Sequence, residues 1–159
     1  SAVEANQSLA QSQDVTFSVE GDVDNMKVWA DADRMSQVMT NLLSNAVKFS
    51  PAKDKVRIRA NRAGRVIAIS VSDRGPGIPQ EFRPHVFKRF AQADQSPTRS
   101  DQKGGTGLGL SITKAIIEMH DGHISFETTC APAPNHGTTF SFTVPIWDDS
   151  LPVSGNTLG

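Results

Sequence analysis

Cysteine is nearly absent: the chain has one, Cys130. That excludes an internal disulfide and any multi-cysteine zinc site. Net charge is nearly absent too. Lys and Arg number 16 and Asp and Glu 17, a formal net charge of −1, which removes the electrostatic case for binding nucleic acid or an anionic membrane. No segment approaches the roughly 18 consecutive apolar residues of a membrane span, and no basic-apolar-small signal peptide opens the chain. Ser1 is not a start methionine, so the chain is read as a piece of a longer protein, in a reducing, cytoplasmic setting. What remains is 159 residues, 37% of them hydrophobic: one domain with a modest core, expected to be a monomer.

Residues 1–13 are polar and read as the end of an incoming helix or a linker. Residues 14–146 carry the periodic elements. Val15 to Val19 and Lys27 to Ala30 read as strands. Asp31 to Lys48 is the clearest helix, with Met35, Val38, Met39, Leu42, Leu43, Ala46 and Val47 at helical spacing. Asp31 or Asp33 is its candidate N-cap, and Ser50-Pro51 stops it. Lys55 to Ala60 and Arg65 to Ser72 form a hairpin, and its basic row Lys55, Arg57, Arg59 reads as a solvated sheet face. The stretch from Gly75 to Gly107 is irregular, broken by four prolines, and a stretch this long inside a domain points to function or disorder. Leu108 to His120 is a second helix. His123 to Thr128 and Thr138 to Val144 are closing strands, and residues 147–159 form a tail or linker. The fold class is therefore α+β: a two-layer α/β sandwich, with a mixed, mostly antiparallel sheet of about five strands covered on one face by about three helices.

Three elements carry chemistry. The first helix has a second stripe, Arg34, Asn41, Asn45 and Lys48, on the flank away from Met35 and Leu42. Asparagine is a poor helix former, and its side-chain oxygen suits Mg²⁺ when phosphates bring the negative charge. A solvated polar face is the plain alternative. In the second hairpin strand Asp73 shares its face with Ile67, Ile69 and Val71, then runs into Gly75-Pro76-Gly77. A carboxylate there can accept a hydrogen bond from a flat amine such as adenine's, or it can simply start a turn. The third element, Gly104-Gly105-Thr106-Gly107-Leu108-Gly109-Leu110, opens a helix, where free backbone N–H groups suit phosphate. It matches neither the P-loop nor the dinucleotide spacing.

Together these segments resemble the sensor histidine kinases. Residues 41–50 (NLLSNAVKFS) are similar to their N-box, residues 73–78 (DRGPGI) to their first glycine box, residues 87–90 (FKRF) to their F-box and residues 105–110 (GTGLGL) to their second glycine box. The resemblance implies the Bergerat-type ATP fold, with ATP and Mg²⁺ as cofactors. It makes Asn45 the principal Mg²⁺ ligand with Asn41 in support, Lys48 a phosphate contact, and Phe49 part of the adenine side. Asp73 would bind adenine beside Gly75, Gly77 and Ile78. Gly105, Thr106, Gly107, Leu108 and Gly109 would bring backbone to the phosphates. A lid at about 91–104 would close over ATP, packed by Phe87 and Phe90, which would also meet the partner domain. Relatives often carry Arg where this chain has Gln92; Arg89, Arg99 and Lys103 are the candidates to replace it.

The resemblance also separates two chemistries. In the hydrolytic branches of the fold a Glu one turn before the metal-binding Asn activates water. Here that position is Asn41, and an amide cannot take a proton. The implied activity is a protein-histidine kinase, a transferase passing the γ-phosphoryl group to a histidine on a separate dimerisation domain, with a response regulator receiver domain downstream. Asn41, Asn45 and Lys48 would be the catalytic set. None of His85, His120, His123 and His136 stands in the expected phosphoacceptor setting: Asp121 follows His120, but Gly122 breaks the helix. His120 reads as a helix C-terminal residue favoured by the dipole, and His120, His123 and Cys130 are not read as a metal set. The alternatives are a regulatory module that binds ATP without transfer, and a hydrolytic ATPase of the same fold.

Overall fold

The computed structural model of the chain describes residues 2–21, 27–28, 32–88 and 109–147. In chain order the elements are α1 (Ala2–Ala5), α2 (Gln7–Ser12), β1 (Thr16–Glu20), β2 (Lys27–Val28), α3 (Ala32–Phe49), β3 (Lys55–Ala63), β4 (Val66–Ser72), a 3₁₀ turn (Gln80–His85), α4 (Gly109–Met119), β5 (His123–Thr129) and β6 (Gly137–Trp147). They form the expected two-layer sandwich. The sheet runs β1-β3-β4-β6, and β5 and the two-residue β2 both pair with β6. Among the described residues only β1 and β3 pair in parallel; the other pairings are antiparallel.

Strand alternation builds the core. One row of inward residues crosses the sheet as Ile58, Val71, Phe140 and Phe126, and the next as Ala60, Ile69, Phe142 and Ile124. The apolar stripe of α3 lies over these rows, with Val38, Leu42, Leu43, Ala46 and Val47 all buried. From α4, Ile116 and Ile117 join them. Truncating a fully buried side chain such as Leu42 or Phe142 costs about 2–5 kcal/mol, because the removed atoms leave a cavity as well as lost transfer energy.

The other sheet face is polar, and the basic row lies on it as expected. Lys55, Arg57 and Arg59 are exposed, and Glu20 accepts a hydrogen bond from Arg59 Nε at 3.0 Å. An ion pair this open to water contributes little.

Several local features differ from the sequence reading. The first hairpin strand runs on to Ala63. The last strand runs to Trp147, because Ile146 and Trp147 pair with β2. Part of the stretch after Gly75 is ordered as the 3₁₀ turn, whose Pro84 sits inside it. Residues 2–12 form two short helices, and Ala10 lies fully buried while the Asn6 amide donates to Thr40 Oγ1 at 3.3 Å. Asp33 lies inside the first turn of α3 rather than before it; Asp31 is outside the described residues.

Candidate nucleotide site

The polar flank of α3 faces α4. Asn41 Nδ2 donates to the Gly109 carbonyl at 3.2 Å and to Thr113 Oγ1 at 3.1 Å. Asn45 and Lys48 follow one and two turns on along the same flank, both half-buried. Lys48 Nζ stands 5.3 Å from the Phe49 ring centroid, and Phe49 itself is exposed at the helix end. Arg34, the first member of the stripe, is exposed.

Asp73 directly follows β4 on the inward face. The register that pairs Ser72 with Thr139 continues into a polar row, Asp73, Thr138 and Thr128, directly beyond the apolar rows. Asp73 is buried, and its Oδ1 accepts from the backbone N–H of Gly75 at 2.8 Å and of Thr138 at 3.2 Å. Burial pushes its carboxyl above the ordinary carboxylate value, and those two backbone hydrogen bonds oppose the rise without cancelling it. With Oδ1 doubly bonded, Oδ2 is the oxygen left to a ligand.

The loop after Asp73 is wedged between two elements. A Cβ on Gly75 would lie 2.6 Å from the Phe49 carbonyl oxygen, so the loop touches the last turn of α3. Gly77 has φ +88°, and a Cβ there would collide with the Thr129 carbonyl oxygen. Only glycine meets both demands. The β5–β6 connection holds the loop from the other side. Ile78 N–H donates to Thr128 Oγ1 at 2.9 Å, Ala131 N–H donates to the Pro76 carbonyl at 2.9 Å, and His136 Nδ1 bonds the Gly75 carbonyl at 2.6 Å. The acceptor is a carbonyl, so Nδ1 carries the proton.

The geometry therefore brings three separate sequence segments into contact. Asn45 lies one turn before Phe49, Phe49 touches Gly75, and Gly75 bonds Asp73. Gly109, the first residue of α4, joins through Asn41. Phe87 lies against Phe126 and Phe140, with ring centroids 5.9 and 6.1 Å away, and Lys114 Nζ stands 5.7 Å from its ring. That makes Phe87 a core contact on the inward face. Phe90, Gly105, Thr106, Gly107, Leu108, the whole of 91–104 and the basic candidates Arg89, Arg99 and Lys103 lie outside the described residues. His120 follows α4, and its Nδ1 bonds the Ile116 carbonyl at 2.8 Å, which satisfies one carbonyl of the helix end.

Sequence reasoning missed Thr128, Thr138 and His136. The first two had a signal, because they share strand parity with Phe126 and Phe140 and so must face inward. His136 had none, since its partner is 61 residues away.

The family profile for histidine kinase-, DNA gyrase B- and HSP90-like ATPases matches residues 30–148. The chain belongs to this family. It is an ATP-binding domain of the histidine kinase type, and histidine and sensory kinases are among its curated relatives. It is 44% identical over 116 residues to the circadian input-output histidine kinase CikA of Synechococcus elongatus, covering 73% of this chain and 15% of that protein. It is 38% identical over 141 residues to the adaptive-response sensory kinase SasA of Prochlorococcus marinus, covering 88% of this chain and 35% of that one. The chain thus spans about a third or less of the length of these curated relatives. Among solved structures, the catalytic domain of histidine kinase ThkA superposes with a TM-score of 0.74 at 30% identity, over 91% of this chain and 87% of that one. ThkA in complex with the response regulator protein TrrA gives 0.71 at 28% identity, over 91% of this chain and 38% of that one.

For this histidine kinase-type domain, the donor set limits what a metal can be. Among the described residues no group of three His, Cys, Asp or Glu could hold an ion. The candidates Asn41 and Asn45 are neutral oxygen donors. Such a set fits Mg²⁺ arriving with a triphosphate, which supplies the charge and most of the remaining oxygens. Among the described residues no helix is long and apolar enough to cross a membrane.

Proposed function

We propose that this domain binds MgATP and donates the γ-phosphoryl group to a histidine on a separate helical dimerisation domain of its parent protein, from which a response regulator receiver domain is then phosphorylated. One observation carries the reading: the Asp73 carboxylate is buried with one oxygen held by two backbone N–H groups, while its loop abuts the end of the helix bearing Asn41, Asn45 and Lys48.

In this reading Asp73 Oδ2 accepts from the adenine amino group, with Gly75, Gly77 and Ile78 beside the base and Phe49 at its edge. Lys48 places a point charge against a phosphate. Asn45, with Asn41 in support, would hold Mg²⁺, and the ion would supply charge neutralisation at the phosphates. Gly109 and the glycine run before it, residues 105–108, offer backbone N–H groups to the phosphates. The incoming imidazole nitrogen forms the N–P bond as the bridging P–O bond breaks, and ADP leaves with the electron pair. Positioning and charge neutralisation supply most of what such a transfer needs.

Hydrolysis is disfavoured by a specific group. At the position where hydrolytic relatives carry a base, Asn41 presents an amide, and its nitrogen is already donating to Gly109 and Thr113. The test is a transfer assay with γ-labelled ATP. The chain alone is expected to incorporate negligible label, and adding the parent's histidine-bearing helical domain is expected to give acid-labile label on that domain. Label on a histidine of this chain, or fast phosphate release without an acceptor, would contradict the proposal.

A further inference from the structure

Thr113 sits at the closed corner between α3 and α4. It is fully buried, and its hydroxyl donates to the Gly109 carbonyl at 2.8 Å, a bond back to the preceding turn of its own helix. Its oxygen then accepts from Asn41 Nδ2 at 3.1 Å, and the same nitrogen reaches the Gly109 carbonyl at 3.2 Å. The three groups form a closed triangle. Both partners of the amide nitrogen are acceptors toward it, and a carbonyl cannot donate, so the orientation of the Asn41 side chain is fixed by chemistry. Its oxygen must point away from α4.

We propose that Thr113 is a positioning residue for the metal-and-phosphate side of the site. With the Gly109 carbonyl it captures the nitrogen of Asn41 and presents the amide oxygen to a divalent cation or to the water around it. The same triangle keys Gly109, the first residue of α4, to Asn41 on α3. Nothing in the sequence pattern marks this residue: Thr113 occupies a buried position of an amphipathic helix, where a Val would fit by shape. The inference rests on the reading that α3 and α4 together hold MgATP.

The test compares Thr113→Val, which keeps the shape and removes the hydroxyl, with Thr113→Ser, which keeps the hydroxyl. Calorimetric titrations use ATP with Mg²⁺ and ATP with EDTA, each against wild type. Thr113→Val leaves the Asn41–Gly109 bond in place, so loss of one hydrogen bond predicts about a three- to tenfold weaker affinity for MgATP. Affinity for metal-free ATP is expected to stay at the wild-type value, and Thr113→Ser is expected to restore MgATP binding. In the nucleotide-free protein, the Asn41 side-chain NH₂ resonances should shift in Thr113→Val and return in Thr113→Ser. Equal losses with and without Mg²⁺, or failure of serine to rescue, would make the hydroxyl merely structural and overturn the proposal. So would an unchanged MgATP affinity in Thr113→Val. Those outcomes leave the MgATP reading intact, whereas a wild-type chain that binds no MgATP overturns both.

Discussion

Asp73 and Thr138 hold each other through the backbone and the side chain at once. The Asp73 N–H donates to the Thr138 carbonyl at 2.9 Å, and the Thr138 N–H donates back to Asp73 Oδ1 at 3.2 Å. A strand pairing thus continues past the last apolar row and ends on a carboxylate. The sheet's own register fixes where the acid sits, and the backbone holds its Oδ1.

Asp73→Asn should separate folding from binding. The asparagine oxygen can still accept from Gly75 and Thr138, so circular dichroism and the melting temperature should change little. The other end becomes an NH₂ group facing the adenine amine, two donors with no acceptor between them. ATP affinity should fall by more than about tenfold, as expected when a buried polar contact is left unmade. Wild-type affinity in this variant, measured by calorimetry, would place the base elsewhere.

Acidity should act on stability and binding in opposite senses. Burial raises the Asp73 pKa above its ordinary 3.8, so the folded state keeps this proton to higher pH than the unfolded chain. The group's contribution to stability is fully present below the ordinary value and is lost as pH rises through the raised one. The melting temperature of wild type relative to Asp73→Asn should therefore decline as pH climbs from about 4 toward neutrality. ATP affinity should move the other way, weakening on acidification, because Oδ1 is occupied and the proton must go to Oδ2. Two flat profiles would mean that Asp73 does not titrate in this range.

Two glycines with positive φ should respond differently to alanine. Gly64, at φ +66°, turns the β3–β4 hairpin with nothing within 4 Å of an added Cβ. Gly64→Ala should cost only backbone strain, about 1 kcal/mol. Gly77→Ala meets strain and the Thr129 carbonyl together, and should cost about 1–3 kcal/mol more. Denaturant unfolding of both variants checks the order; equal losses would mean that the loop yields freely.

His136 should matter to the base side of the site and not to the metal side. His136→Ala removes the N–H that holds the Gly75 carbonyl, and should weaken ATP binding about three- to tenfold with or without Mg²⁺. His136→Asn places an amide N–H near the same spot and should recover most of the loss. A defect confined to MgATP would assign His136 to the phosphate end instead.

Much of this protein was legible because much of it is local. The stripe from Met35 to Val47 specifies a helix and its buried side. The alternation from Lys55 to Ser72 specifies a hairpin with one polar face. Asn41, Asn45 and Lys48 share a flank by helix geometry alone, and Asp73 shares its face with Val71 by strand parity. The ends of elements were less legible: β6 reaches Trp147 because β2 pairs there, and no residue near Trp147 announces a partner more than a hundred positions away.

The sequence by itself determined the two long helices, the main strands, their faces and the polar residue types on them, because each depends on neighbours a few positions apart. Only the tertiary structure decided which of those residues meet. Thr138 closes on Asp73 across 65 positions, His136 on Gly75 across 61, and Thr113 on Asn41 across 72. Periodicity sets which way a side chain points. The partner it finds there is fixed by sheet register and helix packing, which bring distant segments together once the chain has folded.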